Sequence, residues 1–124
     1  MISIQSLPRM ALISFSMMGI LSAQSERRWS FQVFLDDKPI GSHVFTLREK
    51  NSLQELTSQA DFRVKVVGIT LYRYEHLAVE HWRSGCLVSM RANTNDDGKK
   101  QTVFAQSDER GLAVEANALK SLFP

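Results

Sequence analysis

Apolar and polar residues alternate with period two along almost the whole chain after Glu26, and no stretch there carries a helical apolar period over three turns. Trp29, Phe31, Val33 and Leu35 alternate with Ser30, Gln32 and Phe34, and Asp36-Asp37-Lys38-Pro39 forms a turn. Ile40 to Glu49 runs back with His43, Phe45 and Leu47 on one side, and Lys50-Asn51-Ser52 turns again. The clearest segment follows. Leu56, Ser58, Ala60, Phe62, Val64 and Val66 share one face, and Glu55, Thr57, Gln59, Asp61, Arg63 and Lys65 share the other. Thirteen residues at ~3.3 Å make a strand of roughly 40 Å, longer than a compact domain of this size accommodates flat, so the sheet is expected to bend.

Gly68 is the obvious turn residue of the next reversal, Val66 to Leu71. Because hairpin tips are normally polar, this apolar one is expected to pack on neighbouring structure, with contact to lipid or a partner as the alternative. Leu71 to Trp82 carries Tyr72, Tyr74, His76, Ala78, Glu80 and Trp82 on one face, and Arg73, Glu75, Leu77, Val79 and His81 on the other. Strands at Cys86–Thr94, Lys99–Ser107 and Leu112–Ala116 are separated by Asn95-Asp96-Asp97-Gly98 and Asp108-Glu109-Arg110-Gly111; residues 117–124 show no clear period. The expected fold is all-β: a curved, half-barrel-like antiparallel meander of about seven strands in a single domain, 24–124.

The first 23 residues read differently. Met1 to Arg9 is polar with one basic side chain, Met10 to Leu21 is a twelve-residue apolar run, and Ser22-Ala23 supplies small residues before a polar stretch. That order is a secretory signal peptide, forming a helix and cleaved after Ala23 or, second, after Ser25. As a helix the run spans about 18 Å, short of the ~30 Å hydrocarbon core, so no stable membrane anchor is expected once the leader is removed. Leu21-Ser22-Ala23 matches the start of a lipoprotein processing box, but Gln24 stands where the lipidated Cys is required. The expected location is periplasmic or secreted.

Composition changes this picture little. The chain has 124 residues, 44% hydrophobic and 23% charged, which excludes a disordered or disulfide-dense protein. Fifteen Lys+Arg against thirteen Asp+Glu leave +2, no electrostatic footprint for nucleic acid.

Several short stretches stand in a familiar order: Trp29 to His43, Ala60-Asp-Phe-Arg-Val64, Tyr72-Arg-Tyr-Glu-His76, Glu80-His-Trp-Arg83 and Gly85-Cys-Leu87. Together they resemble an uncharacterised secreted bacterial family, domain of unknown function number 6134. The resemblance implies export to the periplasm and a curved β-sheet, and it carries over no catalytic residue. It also implies relatives that continue past Ser121-Leu-Phe-Pro124, leaving a truncated chain and a genuinely short version as alternatives.

Candidate chemistry is sparse. His76 and Glu80 share a face ~13 Å apart, too far for a dyad, and His81 faces the other way. His43 lies on another strand. No metal-ligand spacing, phosphate loop or nucleophile elbow is present, so no cofactor, metal or catalytic residue is expected. Cys86, the single cysteine, reads as a buried small hydrophobe, unpaired within the chain, with a disulfide partner beyond it or a reactive thiol as alternatives. Phe62, Val64, Tyr72, Tyr74, His76 and Trp82 make an aromatic stripe, read either as sheet core or as a wall for an acyl chain with His76 and the tyrosine hydroxyls at its head group. The expected function is non-enzymatic binding of an apolar or lipid-like envelope ligand. The alternatives are an interaction module pairing through an open sheet edge, and a secreted hydrolase using His76 or His81.

Overall fold

The computed structural model describes residues 24–124; the leader, with its expected helix and cleavage site, lies outside the described residues. Eight strands follow in chain order: β1 (Ser25–Leu35), β2 (Lys38–Lys50), β3 (Leu53–Val66), β4 (Ile69–Arg83), β5 (Cys86–Asp96), β6 (Lys99–Asp108), β7 (Gly111–Ala116) and β8 (Leu119–Phe123). Each pairs antiparallel with its sequence neighbour in one sheet of order β1 to β8. The all-β antiparallel meander is therefore present, with one more strand than expected. Leu119-Lys-Ser-Leu-Phe123 places two apolar residues side by side within five, so its alternation is too brief to register as a strand.

Tight turns explain the regular order. In six of the seven hairpins both central residues have positive φ, as at Asp36-Asp37, Asn51-Ser52 and Asp97-Gly98. Two such residues give the mirror-image turn whose twist matches that of the flanking strands, and Asn, Asp and Gly tolerate it best. Each turn fixes the register of the next pair, so the period-two patterns of successive strands line up on common faces.

The sheet is open and uncurled rather than half-barrel-like. The length of β3 is accommodated by overhang. β2 pairs with β3 only as far as Phe62, and β5 pairs with β4 only as far as Tyr74. Beyond them Arg63 to Arg73 continues as a two-stranded ribbon. Three bulges, at Ile40, Leu71 and Val88, take up the twist locally.

One face is apolar. From β1 to β8 it carries Trp29, Phe45, Ser58, Ala78, Ala92, Val103, Ala116 and Leu119 in one continuous cross-strand row. Its centre holds the buried residues among those described: Ser58, Ala60, Ala78, Ala92 and Ala105. They are buried because they are small and their long neighbours lean over them. No large side chain is fully buried among the described residues. The other face is polar and is laced by the row Glu26, Arg48, Glu55, His81 and Ser89.

Gly41 shows how tightly the ladder is drawn. Its φ is +155°, and a Cβ there would lie 1.9 Å from the Asp61 carbonyl oxygen. Gly41→Ala should destabilise the protein by at least about 1–3 kcal/mol, the usual cost of a strained backbone site. Urea unfolding of the two proteins measures it; equal midpoints would show that the β2–β3 backbone has room to give.

Candidate functional site

The candidate stripe lies on the apolar face. Phe62 stands opposite Tyr74 and Val64 opposite Tyr72, in the register expected of a shared face. The Phe62 and Tyr74 rings stack at 5.4 Å, and Tyr74 stacks on His76 at 6.3 Å. Tyr72 Oη donates to Asp96 at 2.7 Å, and this bond to an anion raises the phenol above its ordinary pKa. Trp82 does not join the group. Eight residues of strand put it ~26 Å from Tyr74, and its indole N–H donates to Glu80 at 2.8 Å.

The structure adds residues that sequence spacing could not connect. His43 and His76 stand on either side of Ala60, one strand away each, in the row Phe31, His43, Ala60, His76, Thr94. The small Ala60 side chain between them is buried beneath its longer neighbours. His43 Nε2 is 2.7 Å from Ser58 Oγ, and its ring packs 4.2 Å from that of Phe45. His76 Nδ1 is 2.8 Å from Thr94 Oγ1. Partial burial, and secondarily the charge of a protonated His43, lower the His76 pKa below its ordinary 6.5. At neutral pH His76 is therefore an uncharged imidazole beside an aromatic stack. The only sequence signal of this pairing was that His43, Ala60 and His76 all fall on apolar faces.

His81 has its own partners on the polar face. Its Nδ1 lies 3.1 Å from Ser89 Oγ and its Nε2 lies 3.3 Å from Glu55, which also accepts from Arg48 at 3.4 Å. The order carboxylate–imidazole–hydroxyl has the connectivity of an acyl-transfer triad. The three residues sit in register on three paired strands, with the Val88 bulge beside Ser89. The row acts as a cross-strand polar clasp. No group of three or more His, Cys, Asp or Glu able to hold a metal occurs among the described residues.

An open groove of about 680 Å³ is bordered chiefly by polar-face residues such as Val79, His81, Arg91, Phe104, Glu115 and Lys120. Of the stripe, only His76 borders a groove of about 460 Å³ and Val64 another of about 630 Å³; Phe62, Tyr72, Tyr74 and Trp82 border neither. Cys86, expected inside, is exposed at the first position of β5. The Val66–Leu71 tip, expected to pack on neighbours, is exposed as well, with Val67 at 95%.

A single antiparallel meander with one apolar face, running from β1 to β8 among the described residues, is the architecture that places these groups. Residues 31–124 match the family described as Domain of unknown function (DUF6134), and the chain belongs to it. No curated protein and no solved structure matches the chain.

The His43–His76 arrangement makes a measurable prediction. A histidine whose folded pKa is lowered favours folding above about pH 6.5, and that contribution is lost as pH falls through the lowered value. In His43→Gln the neighbouring charge is gone, so His76 should titrate at higher pH than in the unaltered protein. NMR titration of the imidazole carbons reads both values; an unchanged His76 pKa would show that burial alone sets it.

Proposed function

We propose that this protein is an exported envelope protein that binds an apolar or lipid-like ligand on its sheet and performs no chemistry on it. The observation that carries this reading is the uncovered apolar face. A sheet is stable when one face is buried against a second layer. Among the described residues no second layer exists, and only small side chains are buried. An occupant of that face supplies the missing apolar contact. The row from Trp29 and Phe45 through Ser58, Ala78 and Ala92 to Val103 and Leu119 is low at its centre, where longer side chains lean over the small ones, and a chain-like ligand lying across the strands would displace those side chains to reach it. His76, two residues along β4 from Ala78, and Tyr74, two further on and stacked on it, are hydrogen-bonding groups for a polar head at that end of the ligand. Export to the periplasm rests on the leader pattern in residues 1–23.

Delipidated protein titrated with cis-parinaric acid tests this reading. Saturable fluorescence enhancement is expected. Ala78→Glu, which puts a carboxylate on the floor of the row, should weaken binding by at least about tenfold, since an unpaired charge on an apolar surface costs several kcal/mol. Leu77→Glu, one residue away on the polar face, should leave it unchanged. Absence of saturable binding, or equal loss in both variants, would end the reading.

A second reading rests on the edges. Among the described residues β1 has no partner strand on its outer side, and it exposes Phe31, Phe34 and Leu35 along eleven residues. An open, apolar edge strand is a template for pairing with another chain. Under this reading sedimentation shows a stable complex, and acyl probes do not compete with it.

A further inference from the structure

The ribbon beyond the sheet carries an assignment that does not depend on the ligand of the sheet face. Between Asp61 and Glu75 lie thirteen residues without an acid and with three cations, Arg63, Lys65 and Arg73. Pairing places Val64, Val66, Ile69 and Tyr72 on one side of the ribbon, and Arg63, Lys65, Arg73 and Thr70 on the other. The outermost side chains are the most exposed apolar ones in this part of the molecule: Val67 at 95%, Ile69 at 65% and Leu71 at 60%. The residues are zoned along its length. Aliphatic side chains occupy the tip, Tyr72 and Lys65 come next, and Arg63 and Arg73 lie at the root, where they meet Asp61 and Glu75.

The turn itself is built against its own preference. Val67 has φ +50° and Gly68 φ +76°, so the hairpin uses the same mirror-image turn as its neighbours. At the first turn position the other five such hairpins have Asp36, Asn51, Ser84, Asp97 and Asn117. A β-branched residue is poorly suited to positive φ, and Asn before Gly is the favoured pair. Among the described hairpins of this kind, only this one has an apolar, β-branched residue at the first turn position.

We propose that the β3–β4 hairpin tip docks into the surface of an anionic phospholipid bilayer. From Val64 to Val67 the ribbon advances about 10 Å, the depth at which interfacial elements bury apolar side chains between head groups and acyl chains. At that depth Tyr72 and the Lys65 ammonium reach head-group level, the position favoured by tyrosine and by lysine side chains that extend their charge to water. Arg63 and Arg73, half-exposed and paired with Asp61 and Glu75, then meet lipid phosphates with their remaining N–H groups.

The test uses the full chain in a Cys86→Ser background, with a nitrobenzoxadiazole dye on Val67→Cys or on Ser84→Cys at the opposite end of the sheet. With phosphatidylglycerol–phosphatidylcholine vesicles the dye at 67 should brighten and shift to the blue, and the dye at 84 should not. The dye senses its own surroundings, so attachment through another segment does not produce this result. Pure phosphatidylcholine should give a response about tenfold weaker, as expected for cations at a charged surface. An unchanged dye at 67, an equal change at 84, or an equal response to phosphatidylcholine would overturn the proposal. An unlabelled V67N chain should unfold at a higher urea concentration than the unaltered protein; a lower midpoint would make Val67 a structural residue and likewise overturn it.

Discussion

Backbone pairing between neighbouring strands holds this protein together, and two-residue turns dictate its register. Nothing packs on the sheet from outside among the described residues, so side-chain burial cannot correct a slipped strand. The turns at Asp36-Asp37, Asn51-Ser52, Val67-Gly68, Ser84-Gly85, Asp97-Gly98 and Asn117-Ala118 place each strand one tight reversal from the last. A shift of one residue would move every apolar side chain to the polar face. The row of small side chains, the clasp around His81 and the flanking of Ala60 by two histidines all follow from that register.

The same constraint separates the two faces by task. On the polar face, ion pairs and hydrogen bonds such as Glu26–Arg48 at 2.7 Å cross from strand to strand with half-exposed partners. Such pairs each contribute little in water, but they make one register more favourable than its neighbours. On the apolar face, alanines rather than large side chains occupy the centre, so the surface is low there and higher towards Phe45 and Val103. A conventional core would place its largest side chains at that centre.

Much of this was legible in the residues. Period-two alternation located seven strands and assigned Phe62, Val64, Tyr72, Tyr74 and His76 to one face, because a side chain's face depends only on counting along an extended chain. Turn chemistry located the reversals for the same local reason. Three expectations did not hold. The long β3 was expected to bend the sheet, and it overhangs instead, since β2 and β5 end their pairing at Phe62 and Tyr74. Cys86 and the Val66–Leu71 tip were expected to be buried on the strength of their apolar character, and both are exposed because no second layer covers the sheet among the described residues. β8 was missed because five residues carry too little alternation to read.

What the sequence by itself determined about this protein is local: strand, turn and face, each settled by neighbours within a few residues. What only the tertiary structure decided is which residues from different strands meet. His43 and His76 are 33 positions apart in the chain, yet both flank Ala60. Glu55, His81 and Ser89 form one hydrogen-bonded run although no spacing links them. Those meetings depend on where each strand stops, turns and bulges, and an error of one residue at any turn displaces every later pair. That accumulation is the physical reason the faces could be read from the chain while the rows across them could not.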